Sequence, residues 1–150
     1  MKLKILVKLV EKILGVTYGE DEHRADMYLP ERALAMSLVM LAGGTAFGLF
    51  FVLGGEVWML LVAVGGLLLG VTLLLCWKNQ SIRVISDEEF EYTTFLGNKY
   101  RYAFRDITAL RKNQDSMTLF VGQKKVHMES MAVISQKLAD RINEALKSRV

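Results

Sequence analysis

The chain has 150 residues, of which 52% are hydrophobic and 23% charged, and its formal net charge is +3. That length holds one ordinary domain, or a small domain and a membrane anchor. So mild a positive charge suits a neighbour of anionic lipid and gives no argument for a nucleic-acid partner. The single cysteine, Cys76, excludes an intramolecular disulfide and gives no sign of an oxidising compartment.

The averages hide a sharp division. Between Arg32 and Lys78 the only charged residue is Glu56. A soluble domain scatters its charge so that each element keeps a wet face, whereas here one long stretch excludes it.

In chain order, residues 1–14 read as an amphipathic helix. Leu3, Leu6, Val7, Val10, Ile13 and Leu14 recur at helical spacing, with Lys4, Lys8, Glu11 and Lys12 opposite. Two placements stand open for it: on the cytoplasmic leaflet, or packed on the soluble domain. A cleaved signal peptide is not expected, because Lys8 interrupts the run Ile5-Leu6-Val7 and no small-residue cleavage site follows. Residues 15–26 form a polar connector with Glu20-Asp21-Glu22, His23 and Asp26. Their spacing fits no recognised metal loop, so a solvated linker is expected. The helix and connector make up a first section, residues 1–32.

Residues 33–77 cannot be one helix. At about 1.5 Å per residue they would span on the order of 65–70 Å, against a hydrocarbon core of roughly 30 Å. Gly54-Gly55-Glu56 supplies the break, leaving spans 33–53 and 57–77 of roughly 31 Å each. In the second span Leu60, Leu61, Leu67, Leu68, Leu69, Leu73, Leu74 and Leu75 together favour insertion by about 2–5 kcal/mol. Trp58 and Trp77 stand at its two ends, where indoles favour the interface, and Pro30 stands just before the first span. Lys2, Lys4, Lys8, Lys12, Arg24 and Arg32 precede the hairpin, Lys78 and Arg83 follow it, and the turn has no Lys or Arg. The positive-inside rule then puts both termini in the cytoplasm of a multi-pass protein of the cell (inner) membrane.

Each span carries a small-residue pair, Gly44 and Gly48 in the first and Gly66 and Gly70 in the second. Such pairs let helix backbones approach closely. In an antiparallel hairpin Gly44 falls opposite Gly66, and packing within the hairpin is expected, with homodimerisation through the same faces as the alternative. The spans hold no Asp, Glu, Lys, Arg or His, the groups that mark ion paths and substrate sites in membranes, so an anchor is expected rather than a transporter. A packing role is expected for Cys76, with lipidation the alternative.

In the third section, residues 78–150, the period changes. Strands are predicted over 81–86, 89–96, from 99, over 107–112, 117–121 and 124–129, with turn signals at Asp87-Glu88, Gly97-Asn98 and Gly122-Gln123. Lys99, Arg101 and Arg105 alternate with Tyr100, Tyr102 and Phe104, which predicts aromatics inward and a basic face outward; a solvated strand face is expected, with contact to anionic lipid or a partner the alternative. His127 falls outward between Val126 and Met128. From about Ser130 the apolar spacing lengthens through Met131, Ile134, Leu138, Ile142 and Leu146, predicting a closing amphipathic helix.

This order of strands and closing helix, with Phe104, Asp106-Ile107 and Leu110, resembles the bacterial pleckstrin-homology-like domains of small membrane proteins. The resemblance covers residues 79–147. It implies an α+β domain, a partly open antiparallel barrel closed by its C-terminal helix, behind a membrane helical hairpin. It implies binding or scaffolding rather than catalysis, no cofactor, and a protein partner or a homo-oligomer. The first hairpin, Ser86-Asp87-Glu88-Glu89, is acidic where inositol-lipid binders of that group are basic, so no phosphoinositide site is expected. The expected function is a membrane-anchored interaction module. The alternative is a lipid-organising protein or an accessory subunit of a membrane transporter or enzyme.

Overall fold

A computed structural model of the chain describes residues 25–114, 116–129 and 131–149. The helix expected over residues 1–14, and the connector as far as residue 24, lie outside the described residues. The elements are β1 (Met27–Tyr28), α1 (Glu31–Val52), α2 (Val57–Asn79), β2 (Ser81–Val84), β3 (Glu89–Thr93), β4 (Lys99–Ala103) and a 3-10 turn (Phe104–Asp106). They continue with β5 (Ile107–Lys112), β6 (Ser116–Val121), β7 (Lys124–Glu129), β8 (Val133–Ile134) and α3 (Gln136–Lys147).

Pro30 caps the start of α1 in an extended conformation, where its missing N–H leaves nothing unsatisfied. The helix stops at Leu53, and the chain reverses through Gly54, whose φ of 104° only glycine adopts without strain. Trp58 then donates its indole N–H to the Glu56 carboxylate at 2.8 Å as α2 begins. At 22 and 23 residues, both helices are long and apolar enough to cross a membrane. Only 11% of each apolar window is buried, which separates them from the core helices of a soluble protein. Their polar ends extend them past the apolar runs, through Glu31 and Arg32 at one end and Lys78 and Asn79 at the other.

The strands form two separate antiparallel sheets, ordered β4-β3-β2-β1-β8 and β5-β6-β7, and do not close into a barrel. Strand β1 has no counterpart in the sequence reading. Its two residues pair with β2 (Met27 with Ile82, Tyr28 with Ser81) and with β8 (Met27 with Ile134, Tyr28 with Val133). The helical hairpin is therefore spliced into a sheet: the chain leaves from β1 and returns in the neighbouring strand. Strand β8 also departs from expectation, since Val133-Ile134 is extended and α3 starts only at Gln136. Both residues are β-branched, and pairing with β1 outweighs a weak helical pattern.

Alternation in β2 and β3 turns Ile82, Val84, Phe90 and Tyr92 inward. Ile107, Leu119, Val121, Val126 and Met128 of the second sheet meet them, and Leu138 and Ile142 of α3 cover the remaining side. The Phe90 ring lies 5.0 Å from Phe104 and 5.7 Å from Tyr102. Of the three aromatics predicted inward, Phe104 is buried and Tyr102 half-buried, while Tyr100 stays exposed at the rim. A smaller, separate apolar cluster of Leu29, Ala33, Leu34 and Trp77 packs between the helix bases.

Candidate functional site

The seam of the hairpin brings three of the four small-residue positions into close approach. A Cβ on Gly44 would stand 2.9 Å from the Leu67 amide nitrogen and 3.0 Å from the Ala63 carbonyl. On Gly66 it would meet the Gly44 Cα at 3.2 Å, and on Gly70 the Leu41 side chain at 2.8 Å. Gly48 is looser, with the Ala63 Cβ at 3.7 Å. Ser37, fully buried near the base, donates its hydroxyl back to the Leu34 carbonyl at 2.7 Å, so the seam needs no polar partner from outside.

On the outer face of the larger sheet, Lys99 and Arg101 converge on the Glu91 carboxylate of the neighbouring strand, at 3.5 and 3.8 Å. Both are exposed, so these pairs are worth at most about 1 kcal/mol each. Arg105 does not share that face. The 3-10 turn interrupts the two-residue period, and the Arg105 carbonyl accepts a hydrogen bond from the Arg149 guanidinium at 2.7 Å.

That turn forms one wall of an open groove of about 370 Å³, between the β2–β3 turn and α3. Arg105 and Arg141 line it together with Asp87, Glu88, Glu89 and Glu144. Arg141 is paired with Asp87 and, at 3.2 Å, with Glu144. Signs alternate along this open groove, and a compact anion entering it would have to displace carboxylates from the Arg141 guanidinium. A second hollow, apolar and about 280 Å³, lies at the helix base between Leu29, Met40, Leu69, Leu73, Cys76 and Met131. Among the described residues no three His, Cys, Asp or Glu side chains are placed to hold a metal ion.

Two polar residues carry roles that local pattern does not reveal. Asp26, read from sequence as part of a solvated linker, is a tertiary clamp. One carboxylate oxygen accepts the Val84 N–H at 2.7 Å, the other accepts the Ser135 hydroxyl at 2.9 Å, and the Asp26 carbonyl accepts the Ser135 N–H at 2.6 Å. Ser135 in turn accepts the Leu138 N–H as the cap of α3. Gln80, buried where α2 becomes β2, donates to the His127 carbonyl at 3.0 Å and so ties the two sheets together. Burial pushes the Tyr92 phenol up, against a hydrogen bond with Gln80 that lowers it. His127 is exposed and stands 3.3 Å from Glu129.

No family model matches the chain, and neither a curated protein nor a solved structure matches it.

Proposed function

We propose that the chain is a membrane-anchored interaction module, in which α1 and α2 cross a cell (inner) membrane and hold a binding domain at its cytoplasmic face. The observation that carries this reading is the splice of the hairpin into the sheet. Because β1 enters α1 and α2 returns into β2 beside it, the domain sits directly on the helix bases, with no linker between. The exposed apolar flanks of both helices need a solvent other than water. Arg32, Lys78 and Arg83 stand at the domain end and Glu56 at the turn, which supports both ends of the hairpin facing the cytoplasm.

Two antiparallel sheets with a helix over the shared core support the α+β part of the layout that the pleckstrin-homology resemblance implies, as two separate sheets rather than a barrel. The role of that domain is binding rather than catalysis, through the groove between Asp87, Arg105 and Glu144. Its acidic first turn, with Asp87 already on Arg141, argues against an inositol-lipid headgroup as the ligand. The occupant is a protein segment, from a partner or a second copy.

Two measurements on the full chain test this reading, both in a Cys76→Ala background. Glu56→Cys should react with an impermeant maleimide on intact cells, and Asp87→Cys only after permeabilisation; the reverse pattern refutes the orientation. A photo-crosslinker at Glu144 should give a discrete protein adduct that Arg141→Glu abolishes, while one at Lys112 gives none. No adduct from the groove refutes the binding role.

A further inference from the structure

The larger sheet has a membrane end and a distal end, and register decides which residues stand at each. Strand β2 starts at Ser81, just after the last helical residue Asn79, so its first residue is the one nearest the helices. Ser81 pairs with Thr93, and β3 runs antiparallel to β2. The chain after Thr93 therefore continues past the start of β2, back toward the helix base. The contact that confirms this is a hydrogen bond from the Asn79 side-chain amide to the Phe95 carbonyl, at 2.7 Å.

What stands at that level is apolar. Phe95 is 41% exposed and Leu96 64% exposed, at the tip of a turn closed by three bonds. Gly97 donates to the Thr94 carbonyl, Thr94 to the Asn98 carbonyl, and the Asn98 N–H to the Thr94 hydroxyl. The tip is thus held in shape and presents its two side chains outward. On the far side of the sheet, Tyr28 pairs with Val133, which brings the exposed Met131 to the helix base as well. Lys78 adds a cation in the last turn of α2.

Depth follows from the same geometry. Lys78 is the first charged residue after the apolar run and sets the edge of the hydrocarbon, so Asn79 lies about 1.5 Å beyond it along the helix. The headgroup layer on each side is about 5–8 Å thick, from a core of roughly 30 Å within a bilayer of about 40–45 Å. Phe95, bonded to Asn79, falls inside that layer, where aromatic and aliphatic side chains find an apolar boundary.

We infer that the β3–β4 turn is a second membrane contact, with Phe95 and Leu96 entering the headgroup–acyl boundary of the leaflet from which α2 emerges. This rests on the reading of α1 and α2 as membrane-crossing. Its consequence is orientational. A hairpin alone leaves the domain free to tilt, whereas a tip on one flank gives it a fixed face toward the lipid and directs the acidic β2–β3 turn and its groove away from it.

The test uses the full chain in vesicles of phosphatidylethanolamine and phosphatidylglycerol, with Cys76→Ala and one environment-sensitive fluorophore at a time. The sites are Leu96→Cys, Ile85→Cys and Leu68→Cys. Ile85 is the matched control, apolar and 45% exposed but at the opposite end of β2. The expected result is a blue-shifted emission at position 96, quenched by lipid carrying a shallow nitroxide and not by aqueous iodide, with the converse at position 85. A label at 68 quenched by a deep nitroxide shows the helices in the bilayer. If 68 is in lipid and 96 is open to iodide, the inference fails and the hairpin reading stands. If 96 is shielded from both quenchers, protein covers the tip and the inference fails. If 68 is aqueous, both fall.

Discussion

Replacing glycine by alanine along the hairpin separates close packing from helix propensity, because every substitution adds the same methyl group. At Gly44 the added Cβ would lie 2.9 Å from the Leu67 amide nitrogen and 3.0 Å from the Ala63 carbonyl oxygen. Both are backbone atoms and cannot swing aside. Restoring ordinary contact near 3.4 Å requires the helices to part by about half an ångström. A gap of that size already forfeits about a quarter of the dispersion well for each atom pair across the seam. Overpacking of this kind costs about 1–3 kcal/mol, offset by up to about 1 kcal/mol from the better helix propensity of alanine. Gly44→Ala should therefore destabilise the hairpin by about 1–2 kcal/mol, and Gly70→Ala by a similar amount, because the Leu41 side chain there can turn but the Leu41 amide nitrogen, 3.0 Å from the added Cβ, cannot. Gly43 and Gly65 have nothing within 4 Å of their Cβ positions, so alanine there should be neutral or mildly stabilising. Trp58 is the reporter: its ring stands edge-on to Phe47 across the hairpin at 5.9 Å. Its emission can be followed as dodecyl sulfate is titrated into mild micelles, with the Trp77 signal taken from a Trp58→Phe chain. Equal midpoints for Gly44→Ala and Gly43→Ala would refute the close approach.

The remaining expectations concern the domain. Asp26→Ala removes the acceptor of the Val84 N–H and of the Ser135 hydroxyl, and should lower stability by about 1.5–3 kcal/mol in thermal unfolding; an unchanged melting temperature would show the clamp to be idle. Ser135→Ala should cost about 0.5–2 kcal/mol and speed amide exchange in the first turn of α3 more than elsewhere. Tyr92, raised by burial above the ordinary 10.0, stays protonated in the folded chain at a pH where the unfolded chain ionises. Its contribution is fully present below about pH 10 and is lost as pH rises through the folded value. Phenolate absorbance should show late-titrating tyrosines, because burial raises Tyr102 as well as Tyr92, and Tyr92→Phe should remove one of them.

The two long helices are legible in sequence because exclusion of charge over a long stretch is a signal no single residue can blur. Strands β2 to β7 show themselves by alternation and by glycines at Gly97 and Gly122, both of which adopt positive φ in their turns. What stays hidden is what depends on distance. A strand of two residues, Met27-Tyr28, has no period to read, and its partners lie across the hairpin and near the C-terminus. Asp26 looks like one more acid in a polar linker because the groups it binds are 58 and 109 residues away. Ile134 fits both a helical stripe and an inward strand position, and only pairing with Met27 decides between them. The basic alternation of Lys99, Arg101 and Arg105 looks continuous until the 3-10 turn rotates Arg105 off the sheet face.

The splice also decides where the domain can be cut. A chain starting at Gln80 retains the helix α3 and most of both sheets, yet it lacks β1, which lies between β2 and β8. Its loss strips the fully buried Met27 from the core, worth about 1.5–3 kcal/mol, and the Asp26 clamp, worth about as much again. Against a total stability of about 5–15 kcal/mol, that removes a large share and leaves two strand edges open to pairing with other chains. A chain of residues 80–150 should therefore melt without cooperativity or aggregate. Because Tyr28 pairs with Ser81, the hairpin can be replaced by a tight turn: joining Leu29 to Gln80 through Asn-Gly, which suits a two-residue reversal, should restore a cooperative, monomeric domain. Introducing Asp26→Ala into that joined chain should lower its melting temperature as it does in the full protein. A chain of residues 80–150 as stable as the joined one would show that β1 is an ornament on the sheet, and that the hairpin is merely attached to the domain rather than threaded through it.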